Sequence, residues 1–207
     1  DLKFPELRIH VHIDRHRCTL SLDTSGRSLH QRGYKTATNI APINEVLAAG
    51  MIMMTGWEGQ TDFMDPMCGS ATLLIEAALI RADSAPGLSR SYYGLTGWRG
   101  HQDNIWNSMV AEALEREADN RQQKWPPLIG YDGDRSAIGA ARKNIARAGF
   151  ADRIHVEQQE IHRLDDICVQ QFVGDAAQIS VFGTTDSAEF RFNTDSGTPA
   201  HGSDFSS

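Results

Sequence analysis

The sequence predicts an α/β fold with a parallel sheet, because one local pattern occurs twice and a third strand follows. In residues 61–82, a short apolar strand ends at Asp65-Pro66, and a small-residue loop then leads into a long apolar helix. In residues 128–148, another short strand ends at Asp132-Gly133-Asp134 and a second helix follows. A third strand is predicted at residues 154–156. Strands that alternate with helices indicate βαβ units.

The loop after the first strand is suited to contact a ligand. Residues 68–71 are small, and Thr72 leads into the helix, so backbone N–H groups and the positive end of the helix dipole face the loop. No Lys-Ser or Lys-Thr follows Gly69, which excludes a phosphate-binding loop. Asp65 would repel a phosphate but suits an amino group or ribose hydroxyls, which favours S-adenosylmethionine over a nucleoside triphosphate. An ordinary βα turn stays the alternative.

Acidic residues also follow the second and third strands. Asp132 is placed to accept hydrogen bonds from both ribose hydroxyls of a nucleoside, with Asp134 in reserve. Either residue could instead cap the following helix, and Asp134 fits that role better. Glu160 follows the third strand, where it would meet an adenine amino group. Gly149 is predicted to end the second helix.

The N-terminal residues 7–23 are predicted to form a β-hairpin, since apolar and polar residues alternate on both sides of Arg15-His16. His10, His12 and His16 invite a metal site. Strand alternation places His10 and His12 on the solvated face with no carboxylate or cysteine to complete a site, so no metal is expected. Two strands alone are marginally stable in water, which predicts a larger sheet or the end of a preceding domain.

A polar connector at residues 23–38 carries the one locally basic stretch of the chain. Arg27, Arg32 and Lys35, with Tyr34 beside them, are candidates for contact with an RNA backbone or for closing over a ligand. A solvated linker is the alternative.

Two more helices are predicted, each with an apolar face. The first starts at residues 40–42 with Asn39 as its cap and ends at Gly56, and its apolar face consists of Val46, Leu47, Ala49, Gly50, Ile52, Met53 and Met54. The second runs from about residue 103 to residue 123 with an inward face of Ile105, Trp106, Met109, Ala113 and Leu114.

The bulk properties limit the function classes. A chain of 207 residues holds one domain, or one domain with a fragment. Its net charge of -7 gives no global basic footprint for nucleic acid. The three separated cysteines, Cys18, Cys68 and Cys168, argue against a disulfide framework and fit a reducing cytoplasm. No signal-peptide core and no apolar run of about 18 residues is present, so no membrane partner is expected.

Taken together, these segments resemble the methyltransferases that carry an RNA-binding THUMP domain. The match is to the bacterial ribosomal large-subunit RNA guanine-N2 methyltransferase family, whose members were formerly labelled N6-adenine DNA methylases. Its most specific string is DPMCGSATLLIEAA at residues 65–78. Residues 21–34, 41–50, 56–79, 85–87 and 130–150 also carry it, and the resemblance covers roughly residues 8–174.

The resemblance implies an incomplete Rossmann-like class I methyltransferase. Residues 1–35 would be the end of a THUMP domain and a linker, residues 36–174 the N-terminal part of the methyltransferase domain, and residues 175–207 a diverged or disordered tail. Within this tail, the sequence predicts two short strands at residues 179–182 and 189–192. It also implies ribosomal RNA as the partner, bound mostly by a missing upstream THUMP domain. S-adenosylmethionine would bind through its methionine part to Asp65, Met67, Gly69, Ser70 and Thr72, with Asp132 at the ribose and Glu160 at the adenine edge.

Three departures from the family pattern stand out. Ala71 replaces the usual Gly, which predicts weaker binding where the backbone approaches the ligand. Glu160 replaces the more usual Asp. The third departure is the catalytic motif, an Asn or Asp followed by Pro-Pro and an aromatic residue after the fourth strand. The sequence has only Pro126-Pro127, before the second strand.

The missing motif leaves the catalytic residues unknown. An exocyclic base nitrogen is a poor nucleophile, and the motif's carbonyl oxygens orient it towards the methyl group while the aromatic ring stacks on the base. The chain is therefore expected to bind the methyl donor without transferring methyl. A non-catalytic cofactor-binding or interaction remnant and an N6-adenine methyltransferase are the alternatives.

Overall fold

The computed structural model describes residues 7–35, 43–163 and 180–181. Its strands are β1 (Arg8–Asp14), β2 (Arg17–Asp23), β3 (Phe63–Asp65), β4 (Leu128–Asp132), β5 (Ile154–Gln158) and β6 (Ser180–Val181). Its α-helices are α1 (Glu45–Met54), α2 (Thr72–Arg81), α3 (Asp103–Gln122) and α4 (Arg135–Ala148). β1 and β2 form an antiparallel hairpin, and the other strands form a parallel sheet in the order β5-β4-β3-β6. The predicted α/β fold is confirmed.

The core lies between the parallel sheet and helices α2 and α4. Helix α2 is buried along most of its length, which explains why its sequence is apolar on nearly every face. The fully buried side chains of this core include Phe63, Leu74, Ile75, Leu128 and Phe150. The register places Asp65 beside Gly130 and Asp132 beside Gln158, so the carboxyl ends of β3, β4 and β5 share one edge of the sheet.

Gly130, in the middle of β4, allows α2 and the loop after β3 to approach the sheet closely. A Cβ atom at this position would collide with Leu74 Cδ1 and lie 2.9 Å from Cys68 Cβ. Any larger residue at 130 would therefore push the loop or the helix away from the strand.

Helix α4 matches its sequence prediction. Asp134 caps it, since its Oδ1 accepts a hydrogen bond from the Ser136 N–H at 2.7 Å. Gly149 ends it in the left-handed conformation, with φ 77°. The helix-cap interpretation of Asp134 is therefore confirmed.

The predictions for α1 need correction. The helix begins at Glu45 and its cap is Asn44, whose Oδ1 accepts a hydrogen bond from the Val46 N–H at 2.9 Å. Asn39 and Pro42 lie outside the described residues. The buried residues of α1 are Glu45, Ala48 and Ile52, whereas the exposed ones include Val46, Leu47, Met53 and Met54.

The inward face predicted for α3 is confirmed only at Ala113 and in part at Trp106, which is half-buried with its ring 4.8 Å from the Tyr93 ring. Ala113 is buried, but Ile105, Met109 and Leu114 are each more than half exposed. An apolar pattern shows which residues share a helix face. Burial requires another element against that face, and within the described part of the chain these side chains face solvent.

The hairpin has the predicted strands and an exposed apolar face. The pairs Ile9 with Leu22, Val11 with Leu20 and Ile13 with Cys18 place apolar residues together. Ile13 and Leu20 are nevertheless 71% and 69% exposed. That the hairpin belongs to a larger sheet, or is the end of a preceding domain, stays a prediction.

The tail adds one strand to the parallel sheet. Of the predicted strand at residues 179–182, Ser180 and Val181 pair in parallel with Phe63 and Met64 of β3. The second predicted strand, residues 189–192, lies outside the described residues. No helix in the described ranges has the length and apolar character that crossing a membrane requires.

Candidate cofactor site

Asp65 ends β3 as a buried carboxylic acid, with 3% of the residue exposed. Its Oδ1 accepts a hydrogen bond from the N–H of Met67, which is half-buried, at 3.1 Å. Burial, together with the charge of Asp132, raises the pKa of Asp65 to about 7, although the bond from Met67 acts in the opposite direction. A ligand amino group placed beside this carboxyl would favour its ionised form.

The loop that follows Asp65 turns through two left-handed residues, Gly69 with φ 52° and Ala71 with φ 65°. A Cβ atom added to Gly69 would meet no atom within 4 Å, so the backbone there borders open space. Ala71 precedes α2 without a side-chain cap. The loop therefore borders open space at Gly69, next to the N–H groups that begin the helix.

The conformation of Ala71 gives a different reason for the glycine that is usual in the family. Its side chain is fully buried and its backbone is left-handed, a state that costs an alanine about 1–2 kcal/mol. The sequence interpretation attributed the glycine to close approach of the ligand. Backbone strain is sufficient to explain it.

Asp132, at the end of β4, holds the loop in place. Its Oδ2 accepts a hydrogen bond from the Gly69 N–H at 2.9 Å, and its Oδ1 accepts one from the Asp134 N–H at 2.8 Å. The Cys68 N–H also donates to the Tyr131 carbonyl at 2.8 Å. Each carboxylate oxygen has the capacity to accept a second bond, so the arrangement is compatible with ribose hydroxyls at Asp132.

Glu160 lies just beyond β5, on the same edge of the sheet. Its side chain is 67% exposed, and its Oε2 lies 3.3 Å from His162 Nδ1. Its Cγ would lie 3.6 Å from a Cβ atom at Gly133, in the turn that follows Asp132. Asp65, Asp132 and Glu160 therefore follow one another along the carboxyl edge of three neighbouring strands.

Two other predicted binding residues, Ser70 and Thr72, are buried, with 6% and 2% exposed. The Ser70 carbonyl accepts a hydrogen bond from Asn144 Nδ2 of α4 at 3.1 Å. Asn144 is fully buried and is not among the site residues that the sequence predicts. The signal for it is a polar side chain on the apolar helix face that also contains Ala141 and Ile145.

Comparison with known proteins identifies the family. Residues 32–175 match the family model for the RMKL-like methyltransferase domain. The chain belongs to this family. It is 46% identical over 171 residues to the ribosomal RNA large subunit methyltransferase K/L of Syntrophotalea carbinolica, an alignment that covers 81% of this chain and 24% of that protein. The chain thus spans about a quarter of the length of this relative.

Solved structures resemble the methyltransferase domain. The crystal structure of SMU.472 complexed with SAH superimposes with a TM-score of 0.68 at 30% identity, covering 76% of this chain and 40% of that one. A predicted N6-adenine-specific DNA methylase from Listeria monocytogenes str. 4b F2365 gives a TM-score of 0.64 at 37% identity, covering 73% and 39%. The Rossmann-like methyltransferase fold is therefore shown.

The methyltransferase domain holds three of the four side chains that were predicted to contact RNA. Arg32 forms a bidentate pair with Glu76, and Tyr34 donates its hydroxyl to Glu76 Oε1 at 2.9 Å. Lys35 forms an ion pair with Glu45 at 3.3 Å. RNA contact through these residues would have to break these bonds. Arg27 is exposed and stays a candidate.

Neither the sequence after β6 nor the segment before β4 supplies the family's catalytic motif at the carboxyl edge of the sheet. β6 lies beside β3, and the residues that follow it are Phe182-Gly183-Thr184 rather than Asn or Asp with Pro-Pro and an aromatic residue. Pro126-Pro127 directly precedes β4, where the Pro127 carbonyl accepts a hydrogen bond from the Phe63 N–H at 3.0 Å. These prolines therefore lie at the amino edge of the sheet, opposite the loop at Gly69.

Proposed function

We propose that this chain is the methyl-donor-binding part of a ribosomal RNA methyltransferase and that its ligand is S-adenosylmethionine. The observation that carries the proposal is the row of Asp65, Asp132 and Glu160 along one sheet edge, next to the open backbone at Gly69. The SAH in the crystal structure of SMU.472 and the name of the Syntrophotalea relative support it.

Each part of the ligand has a matching group in the chain. The ionised Asp65 carboxylate binds the amino group of the methionine part, and the N–H groups at the start of α2 face its carboxylate. Asp132 accepts the ribose hydroxyls, and Glu160 accepts the adenine amino group. Met67, Gly69, Ser70 and Thr72 shape the loop between them. The bound donor supplies an electrophilic methyl group on its sulfonium.

Calorimetric titration of the 207-residue chain with S-adenosylmethionine, and separately with its demethylated product, tests this site. We expect binding with both ligands and its loss in Asp132→Ala. Asp152→Asn is the matched control, because Asp152 is an exposed acid paired with Arg153. If no heat is released at about 1 mM ligand, where even a weak site would be half-filled, the proposal is wrong.

In this proposal, the sequence is the donor-binding part of a whole protein, and that protein methylates guanine N2 of 23S ribosomal RNA. The chain alone would not, because no Asn/Asp-Pro-Pro-aromatic segment orients the exocyclic nitrogen. Radiolabelled donor incubated with ribosomal RNA should leave no label on the RNA. Label on the RNA would show that another segment orients the base.

If the 207 residues act by themselves, they would act as a non-catalytic module. Donor binding without methyl transfer in the two experiments above distinguishes such a module from an enzyme. Size-exclusion chromatography with and without a candidate partner chain then tests whether the module completes its sheet with that chain.

N6-adenine methylation is the second candidate activity, and the name of the Listeria neighbour favours it. Both activities place an exocyclic amine beside the donor, so this site does not separate them. Mass spectrometry of nucleosides from RNA treated with the full-length relative separates the two products. N2-methylguanosine is the expected result, and N6-methyladenosine would replace the first proposal by the second.

A further inference from the structure

The linker, defined as residues 24–35, is attached to the methyltransferase domain along most of its length. At its start, Asp23 Oδ1 accepts hydrogen bonds from the N–H groups of Ser25 at 3.1 Å and Gly26 at 2.9 Å. The Leu95 N–H donates to the Thr24 carbonyl at 3.0 Å. The end of the hairpin is therefore joined directly to the short helical turn that contains Leu95.

Arg90 fixes the next part of the linker. Its guanidinium donates to the carbonyls of Ser25 at 3.3 Å, Arg27 at 2.9 Å and Ser28 at 2.6 Å. Further along, Arg147 Nε donates to the Gly33 carbonyl at 2.9 Å. These donors come from the loop after α2 and from α4, so two separate parts of the domain hold the linker backbone.

Glu76 is the buried centre of this attachment. It lies in α2 with 2% of the residue exposed, and its carboxylate receives Arg32 Nε at 3.0 and 3.1 Å, Arg32 Nη2 at 3.0 Å and the Tyr34 hydroxyl at 2.9 Å. Charge-assisted hydrogen bonds from three donors make this carboxylate geometrically specific. Removal of one partner would leave a buried charge uncompensated, which strongly disfavours release of the linker.

A cavity of about 560 Å³ lies beside this attachment and away from the proposed cofactor loop, residues 66–71 between β3 and α2. Residues of the linker form one wall, and the carboxyl-terminal ends of α2 and α4 contribute others. Because these helices run antiparallel to their strands, the cavity lies at the amino edge of the sheet. The linker is thus held at the edge of the sheet opposite Gly69. Helix α2 connects the linker to the cofactor loop, since the helix begins at that loop and carries Glu76 in its middle.

The hairpin beyond the linker has nearly every residue exposed. Its orientation therefore depends on how firmly its base and the linker are held. We propose that the linker is a rigid arm, with Glu76 as its positioning residue, that fixes the hairpin relative to the cofactor loop. This inference rests on the proposed function in one respect: the arm then sets where an RNA-binding module that ends in the hairpin presents its RNA to the methyl donor.

Pulsed electron paramagnetic resonance on the 207-residue chain tests the arm without RNA or methyl donor. Cys18 is an exposed label site on the hairpin, and Lys143→Cys gives a second site on the exposed face of α4. Cys168 is replaced by Ser, and Cys68 is buried. The expected result is a single narrow distance distribution.

Two variants should release the arm. Glu76→Gln removes the buried charge, and Arg90→Gln removes the three bonds to linker carbonyls from a half-buried position. Each should broaden the distance distribution at least about twofold and speed tryptic cleavage after Arg27 by about tenfold, because a released segment opens more often. Arg90→Gln keeps the test informative if Glu76→Gln fails to fold.

Glu117→Gln is the matched control, since Glu117 is a partly buried acid that pairs with Arg121 within α3 and accepts a hydrogen bond from Ser84 Oγ at 2.8 Å, and neither partner belongs to the linker. It should leave the distribution narrow. A broad distribution in the unmodified chain, or unchanged distributions in folded Glu76→Gln and Arg90→Gln, would overturn the proposal. A calorimetric titration that shows no binding of S-adenosylmethionine would leave the distance distributions unaffected, so the arm and the cofactor site are tested separately.

Discussion

At the scale of single residues, Asp65 combines its proposed ligand-binding position with a cost to stability. Its pKa of about 7 means that the buried carboxyl is half protonated near neutral pH. The proposed contact with the ligand amino group needs the ionised form, so the affinity for S-adenosylmethionine should rise by about tenfold between pH 5.5 and pH 7. Calorimetry across this range checks the rise, and a flat profile would mean that Asp65 does not bind the amino group.

The same shift predicts how Asp65→Asn changes stability. The folded pKa of about 7 lies above the ordinary value of 3.8, so between these values the folded state binds more protons and stability falls as pH rises. Asp65→Asn removes this cost and should raise the free energy of unfolding by on the order of 2–4 kcal/mol at pH 8, with a smaller gain at pH 5. Urea denaturation at the two pH values measures it, and donor binding should be lost.

Ala71 gives a second prediction at this scale. Ala71→Gly relieves about 1–2 kcal/mol of left-handed strain but loses a buried methyl and adds freedom to the unfolded chain. These effects nearly cancel, so the free energy of unfolding should change by less than about 1 kcal/mol. The sequence shows that the residue departs from the family pattern, but only the backbone angle explains why. Ala71→Val should be clearly less stable, since a branched side chain disfavours this conformation.

At the scale of elements, the packing of β4 against α2 and the cofactor loop depends on Gly130. Gly130→Ala should lower the free energy of unfolding by about 1–3 kcal/mol, because its methyl would overlap Leu74 and Cys68. It should also weaken donor binding through the displaced loop. Gly139→Ala is the control: this exposed α4 glycine has no atom within 4 Å of an added Cβ, and the change should stabilise by about 0.5–1 kcal/mol. Thermal unfolding and calorimetry separate the two outcomes.

Elements also show where sequence reasoning succeeds. Helix α4 carries its own signals, a cap at Asp134, a stop at Gly149 and an amphipathic pattern, so its ends and its buried face follow from local residues. The apolar patterns of α1 and α3 are local too, yet Met54 is 89% exposed and Ile105 is 52% exposed. Burial depends on what lies against a face, and that information is outside the pattern.

At the scale of the molecule, the strand–loop–helix repeats are sufficient to predict the parallel sheet and to place three acids on one edge. The attachment of the linker is not predictable in this way. Glu76 reads as a lone acid within an apolar helix, and its partners Arg32 and Tyr34 are 44 and 42 positions away. The same basic residues therefore suggested RNA contact, because composition shows charge and not the partner that neutralises it.

The exposed apolar face of α1 leads to a prediction for the molecule as a whole. Leu47 and Met54 lie on the same side of α1 and are 56% and 89% exposed, and exposed apolar surface promotes association. The double variant Leu47→Gln and Met54→Gln should reduce self-association in sedimentation velocity while changing the free energy of unfolding by no more than about 0.5 kcal/mol per site. Ile52→Ala, on the fully buried face of the same helix, should instead cost about 2–5 kcal/mol and leave association undiminished. A large loss of stability in the double variant would mean that these side chains are buried in solution, and the exposed face described for α1 would then be wrong.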